Sequence, residues 1–294
     1  HEGMPNYDST GLSDYNWLWG QFITHEIDHT TTQDGRTPDQ DQPDTAYIPV
    51  SEDDPWMGFP GGLQMRFFRS MVINGTGTGD PENQREHPNT ITSWLDGSVV
   101  YGSDANRADW LREHVGGKLK VSYHETGDLM PRADYAQDPT TPGMSFAGFN
   151  FSGSFVAGDG RANEHVALLS MHTLFVREHN RLAEAIQERN PDWTDEQIYQ
   201  YARHINIGLI EAVTYEEYLP SLGITLDPYE GYNPTVDPTI SNEFATVAFR
   251  MGHSQIGPQM LRMNETRRPI AEGHLTLREG FFDVTPVTDE GGIG

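Results

Sequence analysis

A mainly helical fold with long ordered loops and little sheet is what this 294-residue chain predicts, and three observations predict it. Apolar residues recur at helical three-and-four spacing over 12–29, 162–190 and 195–217. Gly, Pro, Asp, Ser and Thr dominate the stretches between them, which are too irregular for long strands. No internal repeat or low-complexity tract breaks the chain into modules.

The elements follow in order. Leu12, Trp17, Leu18, Phe22, Ile23 and Ile27 give the first helix its stripe, with Ser13-Asp14 at its start. Residues 31–62 read as a long irregular segment, and length alone makes such a segment a candidate for function. LQMRFFRSMVIN, 63–74, reads as a strand, and a loop follows to Asn89. TITSWLDGSVVYGS leads into a short helix, ANRADWLREH. Residues 116–160 read as extended or irregular chain. The 162–190 helix carries Val166, Leu169, Leu174, Val176, Leu182 and Ile186 and stops at Asn190-Pro191. Thr194 caps the 195–217 helix, whose first turn is acidic. A proline-rich connector leads to a third strong helix, 241–253, capped by Ser241, and the tail from 264 is loop-rich.

Composition excludes several functions. Nineteen basic against 44 acidic residues leave a net charge of −25, which repels nucleic acid and anionic membrane. With no cysteine there is no disulfide framework, thiol nucleophile, thiolate zinc site or iron–sulfur cluster. No apolar run reaches 18 residues, so no transmembrane helix is predicted. Lys118 and Lys120 are the only lysines, a composition suited to a secreted or extracellular setting. Asn74-Gly75-Thr76, Asn150-Phe151-Ser152 and Asn264-Glu265-Thr266 are glycosylation-type sequons.

His25-Glu26-Ile27-Asp28-His29 matches the H-E-x-x-H pattern, in which two imidazoles on one helix face hold zinc and Glu26 is the general base. A zinc metalloprotease is therefore the alternative reading. Over residues 30–35 the third ligand is absent where the extended motif would place it, and Thr30 breaks the helix.

Four separated blocks stand out, in order: Trp19–Asp28; Thr92–Ser98 with Val100–Ser103; Gly158–Glu164 continued by Ser170–Leu174 and Arg177–Ala183; and Ala248–Ser254. Together they resemble the animal-type haem peroxidases. The absence of cysteine points to a bacterial member. The resemblance covers the N-terminal and central part of the family domain, so residues 1–294 read as a single catalytic domain, truncated or continued C-terminally.

The resemblance implies a helical peroxidase fold and roles for particular residues. His253 matches the proximal ligand of the haem iron. His25 matches the distal base, Arg161 the distal arginine and Gln21 the residue lining the peroxide and halide site. Gln21 and His25 are also one helical turn apart, hence on one face. Glu164 matches a glutamate that esterifies a haem methyl, and Arg250 a neighbour of a haem propionate. Thr24, counted with the cofactor-binding positions, stands where mammalian members carry a second ester-forming acid, and His165 where myeloperoxidase has a methionine. Haem b with at most one ester link, through Glu164, is implied.

Glu26, Thr92, Asp96 and Ser98, with the Trp94 carbonyl, match a calcium site of hard oxygen donors. His172 and His179 read as packing residues. The implied reaction is reduction of hydrogen peroxide through compound I, with oxidation of a halide, pseudohalide, phenol or metal ion. The fatty-acid dioxygenases of the same superfamily carry a radical-forming tyrosine three residues before the proximal histidine. Here Arg250 holds that place, and the nearest tyrosines are Tyr215 and Tyr218. A non-enzymatic matrix role is a third alternative, and it predicts no haem.

Overall fold

The structure is a computed structural model, which describes residues 10–31, 45–54, 64–145 and 152–290. The Asn150 sequon and most of 31–62 lie outside the described residues.

Two long helices form the frame. Helix α1 is Asp14–Ile27. A two-stranded antiparallel ribbon, β1 (Thr45–Pro49) with β2 (Gln64–Phe68), pairs Thr45 with Phe68 and Pro49 with Gln64. Short helices α2 (Ser98–Tyr101) and α3 (Ala105–Trp110) precede α4 (Val166–Arg189) and α5 (Asp195–Ala212). Helix α5 runs on through a π-helical turn, Val213–Tyr218, into α6 (Leu219–Ser221). Helix α7 (Asn242–Thr246) and a 3-10 segment, Ala248–Gln255, follow. Among the described residues no helix is long and apolar enough to cross a membrane.

Helix α5 starts as its sequence directs, with a capping box in which the Thr194 hydroxyl accepts from Gln197 N–H. It packs along α4, and α1 and α2 also pack on α4, with Tyr101 of α2 reaching Asn206 and Tyr199 of α5. The core is built where these helices meet: Phe22 stacks on Phe175 at 5.3 Å between ring centroids, and Trp19 tilts against both. The irregular chain between α3 and α4 also enters the core, through Leu119, Leu129, Met130, Met144, Phe155 and Val156. It is held by isolated pairings such as Ser122 with Leu129 and Arg132 with Phe155.

Several expectations are corrected. The strand expected over 63–74 is limited to Gln64–Phe68, and its partner β1 lies inside the segment read as irregular. The β2 side chains all face solvent, so the alternation that marks a half-buried strand is missing. The helix expected over 162–190 begins at Val166, because His165 caps it and leaves Glu164 outside. The helix expected over 241–253 is divided. Ser241 does cap α7, accepting from Phe244 N–H, but the backbone breaks at Val247. The 3-10 segment buries none of its residues, so it lacks the packing that gives most protein helices their stability.

Candidate active site

Helix α1 is buried on most of its circumference, and its C-terminal half carries Gln21, Thr24, His25 and Glu26. At the end of the helix, side chains from far along the chain take its last carbonyls: Asn89 Nδ2 donates to that of Ile27 and the Ser98 hydroxyl to that of Glu26. Arg161 donates from Nη1 to the Asp28 carbonyl at 3.0 Å and from Nη2 to the His25 carbonyl at 3.3 Å. A cation there also suits the negative end of the helix dipole.

Arg161 is held in turn by Asp159. Its Nε donates to Oδ1 at 2.9 Å and Nη2 to Oδ2 at 2.8 Å, the two-pronged pairing a guanidinium favours. Arg161 N–H also donates to Oδ1, closing a turn over Asp159-Gly160-Arg161. Asp159 is 5 % exposed. Burial opposes its ionisation, yet the Arg161 cation and these hydrogen bonds outweigh burial and hold the carboxyl well below the usual range.

Asp159 Oδ1 faces His25 Nδ1 at 3.7 Å. The other ring nitrogen of His25 faces Glu164 Oε2 at 3.9 Å. Burial, and then the nearby Arg161 charge, hold the His25 pKa well below its ordinary value, so the ring is an uncharged base at neutral pH. Gln21 Nε2 donates to Glu164 Oε2 at 3.1 Å, and Gln21 Oε1 lies 2.7 Å from His165 Nε2. Burial raises the Glu164 pKa, opposed by the charges of Arg161 and His253 and the Gln21 hydrogen bond. His253 is thus within electrostatic reach of Glu164, though its ring is exposed on the 3-10 segment.

The fold therefore gathers His25, Arg161, Gln21 and Glu164 in one cluster, across separations of up to 143 residues. Sequence reasoning gave no role to Asp159 or to His165. The signal for Asp159 was its place two residues before Arg161, the spacing of an Asp turn. For His165 it was a ring that can accept from the helix following it, as it does from Leu168 N–H.

Thr24, counted as cofactor-facing, donates its hydroxyl to the Gly20 carbonyl of its own helix. Arg250 donates from Nε to the Ala245 carbonyl, and its Nη2 lies 3.4 Å from Asp28 Oδ2, tying the 3-10 segment to the end of α1. His29 lies beyond α1, where its carbonyl accepts from Thr90, and Glu26 turns away from it. The two-histidine helix face of the zinc alternative does not form.

Glu26 is fully buried and points at the start of α2. It accepts from Gly97 N–H at 2.5 Å and Val99 N–H at 2.7 Å, while its backbone carbonyl accepts from the Ser98 hydroxyl at 3.1 Å. Burial, with the Asp96 charge nearby, pushes its pKa up to about 8. Asp96 Oδ1 accepts from Ser98 N–H, and Thr92 Oγ1 from Trp94 N–H. The Trp94 side chain is exposed, so only its carbonyl could serve a cation. Of the packing histidines, His172 lies edge-on to Phe22 at 5.2 Å. His179 has a hydrogen-bond partner on each ring nitrogen, the Tyr101 hydroxyl and the Gly117 carbonyl, both at 2.8 Å.

The family model described as animal haem peroxidase matches residues 2–294. The chain is 35% identical over 297 residues to a peroxidasin of Drosophila melanogaster, covering 94% of this chain and 19% of that protein. It is 35% identical over 283 residues to the peroxidase mlt-7 of Caenorhabditis elegans, covering 94% of this chain and 37% of that one. Its structure is similar to that of peroxidase A from Dictyostelium discoideum, with a TM-score of 0.83 at 30% identity, over 99% of this chain and 56% of that one. The fold alone is shared with a fatty acid alpha-dioxygenase of Oryza sativa, 20% identical with a TM-score of 0.64, over 95% of this chain and 46% of that one. The chain thus spans well under half of these curated relatives, and over the span it covers it belongs to the animal haem peroxidase family.

Proposed function

We propose that this chain is the haem-binding part of a peroxidase that reduces hydrogen peroxide at the expense of a small reductant. The observation that carries the reading is the cluster on α1. A buried uncharged imidazole, a fixed guanidinium, an amide donor and a carboxylate meet there, with a second imidazole on the facing segment.

The residues present fit a haem. His253 offers an exposed imidazole, the donor a haem iron takes. Glu164, 32 % exposed beside Gln21, is the carboxylate open to a haem methyl. Arg250, reaching across to the buried Asp28, is the cation suited to a propionate. Haem, when bound, would supply the redox centre that gives up the two electrons peroxide needs.

The chain's own residues do the rest. His25 takes the proton from one peroxide oxygen and returns it to the other, which an uncharged imidazole can do near neutral pH. Asp159 holds the Arg161 guanidinium rigid beside α1, where it opposes negative charge developing on the departing oxygen. Gln21 presents an N–H donor to the same space.

Calcium fits the donor chemistry at α2. Glu26 and Asp96 are two carboxylates in mutual electrostatic range, both bonded to Ser98, Asp96 by its backbone N–H and Glu26 by its hydroxyl. With Thr92 and the Trp94 carbonyl they would form a hard-oxygen set that ties α1 to the 92–98 loop. The reductant is a halide, pseudohalide, phenol or metal ion. A net charge of −25 with two lysines suits an extracellular setting.

The test is an absorption spectrum of the protein after haem reconstitution, followed by peroxide turnover. Wild type should show a Soret band, and His253→Ala should lose stable uptake while keeping its far-ultraviolet helical signal. His25→Ala should bind haem and react with peroxide about 10²–10⁴-fold more slowly. A wild-type chain that takes up no haem, or a His25→Ala variant reacting at the wild-type rate, would overturn the reading.

A further inference from the structure

The hydrogen-bond polarity of the distal cluster is set from one end, by His165. This residue caps α4: its Nδ1 accepts from Leu168 N–H at 3.1 Å. A ring nitrogen that accepts carries a lone pair, so in the neutral imidazole the proton sits on Nε2. Nε2–H therefore donates to Gln21 Oε1 at 2.7 Å. With its oxygen so committed, Gln21 turns its NH2 group toward Glu164, donating to Oε2 at 3.1 Å. Flipping the amide would set NH2 against the imidazole N–H, donor against donor, and oxygen against carboxylate.

The ring cannot turn to relieve such a clash. It is 1 % exposed and packed between Trp17, at 5.5 Å between centroids, and Phe281, at 4.9 Å. The backbone is held as well, by the pairing of His165 with Phe281 and by Phe282 N–H donating to the Glu164 carbonyl at 2.8 Å. Burial pushes the His165 pKa down to about 3, which keeps the ring neutral.

We propose that His165 is a positioning residue of the distal cluster: by capping α4 it fixes the amide polarity of Gln21, and through Gln21 it holds Glu164 as an acceptor carboxylate beside His25. Its role in catalysis rests on the peroxidase reading above. The consequence is a choice of ligand. Gln21 spends one N–H on Glu164 and keeps the other for an acceptor, such as a peroxide oxygen or a small anion. With the reverse polarity the same position would present a carbonyl and select against both.

The proposal is tested on the full chain with 15N-labelled histidine, by long-range 1H–15N correlation, and by side-chain N–H exchange of 15N-glutamine-labelled protein. His165 should show the Nε2–H pattern at pH 7. In His165→Phe, which keeps an aromatic ring between Trp17 and Phe281, Gln21 side-chain exchange should quicken about tenfold, the equivalent of one lost hydrogen bond. An Nδ1–H pattern in wild type overturns the proposal even if the variant fails to fold, and so does unchanged Gln21 exchange in a folded variant. Neither readout needs haem. Failure to take up haem therefore sinks the peroxidase reading separately from this one.

Discussion

Asp159 holds the cluster together although the family resemblance assigns it no chemistry. It pairs two-pronged with Arg161, faces His25 and is almost wholly buried, while its backbone N–H donates to the Val99 carbonyl at 3.1 Å. Removing one partner of a buried pair costs more than the pair contributes, because the remaining charge is left uncompensated. Asp159→Asn keeps the shape and loses the charge. It should lower the unfolding free energy by about 3 kcal/mol, read by urea titration at pH 7. Peroxide reactivity should fall with it, since Arg161 loses its anchor. A variant as stable as wild type would show that Arg161 is held by the α1 carbonyls alone.

At the scale of elements, the docking of α2 on the Gly158–Arg161 turn links the Glu26 end of α1 to Asp159. The two backbones touch at Gly158, where a Cβ would lie 2.4 Å from the Ser98 carbonyl oxygen and 2.6 Å from that of Val99. Neither atom can give way without moving α2. Gly160, two residues on, would place its Cβ no nearer than 3.7 Å to any neighbour. Gly158→Ala should therefore cost about 1–3 kcal/mol, as overpacking does, and displace Asp159. Gly160→Ala should stay within about 0.5 kcal/mol, as expected of a change that meets no clash. Thermal unfolding of the two variants side by side checks the contrast. Equal effects would mean that α2 is free to shift.

The whole molecule carries a histidine-linked acid sensitivity. Burial pushes His165 down to about 3, and His172 and His179 down to about 4. The unfolded chain takes up these protons near pH 6.5, while the folded chain refuses them until far lower. The unfolded state thus binds more protons below pH 6.5, so stability is full above that value and falls as the pH drops toward 4. Each histidine contributes a slope of up to about 1.4 kcal/mol per pH unit in that window. Asp159, with its pKa depressed, acts in a separate window: its contribution is present above the ordinary carboxylate range and lost below it. His179→Gln can keep both hydrogen bonds, to Tyr101 and Gly117, without titrating. Urea titrations at pH 6 and pH 5 should show its slope shallower than wild type by about 1.4 kcal/mol per unit. Comparing variant with wild type removes the contribution of general charge repulsion. Identical slopes would mean that His179 titrates alike in both states.

What the sequence by itself determined is what local chemistry controls. The helices α1, α4 and α5 and the Thr194 cap were legible, because helical periodicity and a capping box need only neighbours in the chain, although Leu174, placed on the α4 stripe, is exposed. Gln21 and His25 shared a face on spacing alone, and family-like blocks pointed to Arg161 and Glu164. Tertiary structure decided the rest. Where α1 ends was set from far along the chain, by Asn89 bonding the Ile27 carbonyl and the His29 N–H and by Arg161 taking the His25 carbonyl, groups that a longer helix would have used. That Glu164 stands outside α4, free to meet Gln21, followed from His165 taking the cap. The helix expected over 241–253 divided because a helix too poorly packed to bury one face has little to hold it, and packing is not written in periodicity. The charge states of the site were also decided there. His25 and Asp159 are ordinary titrating groups in the chain; burial gives His25 its uncharged ring, and Arg161, outweighing burial, gives Asp159 its fixed charge.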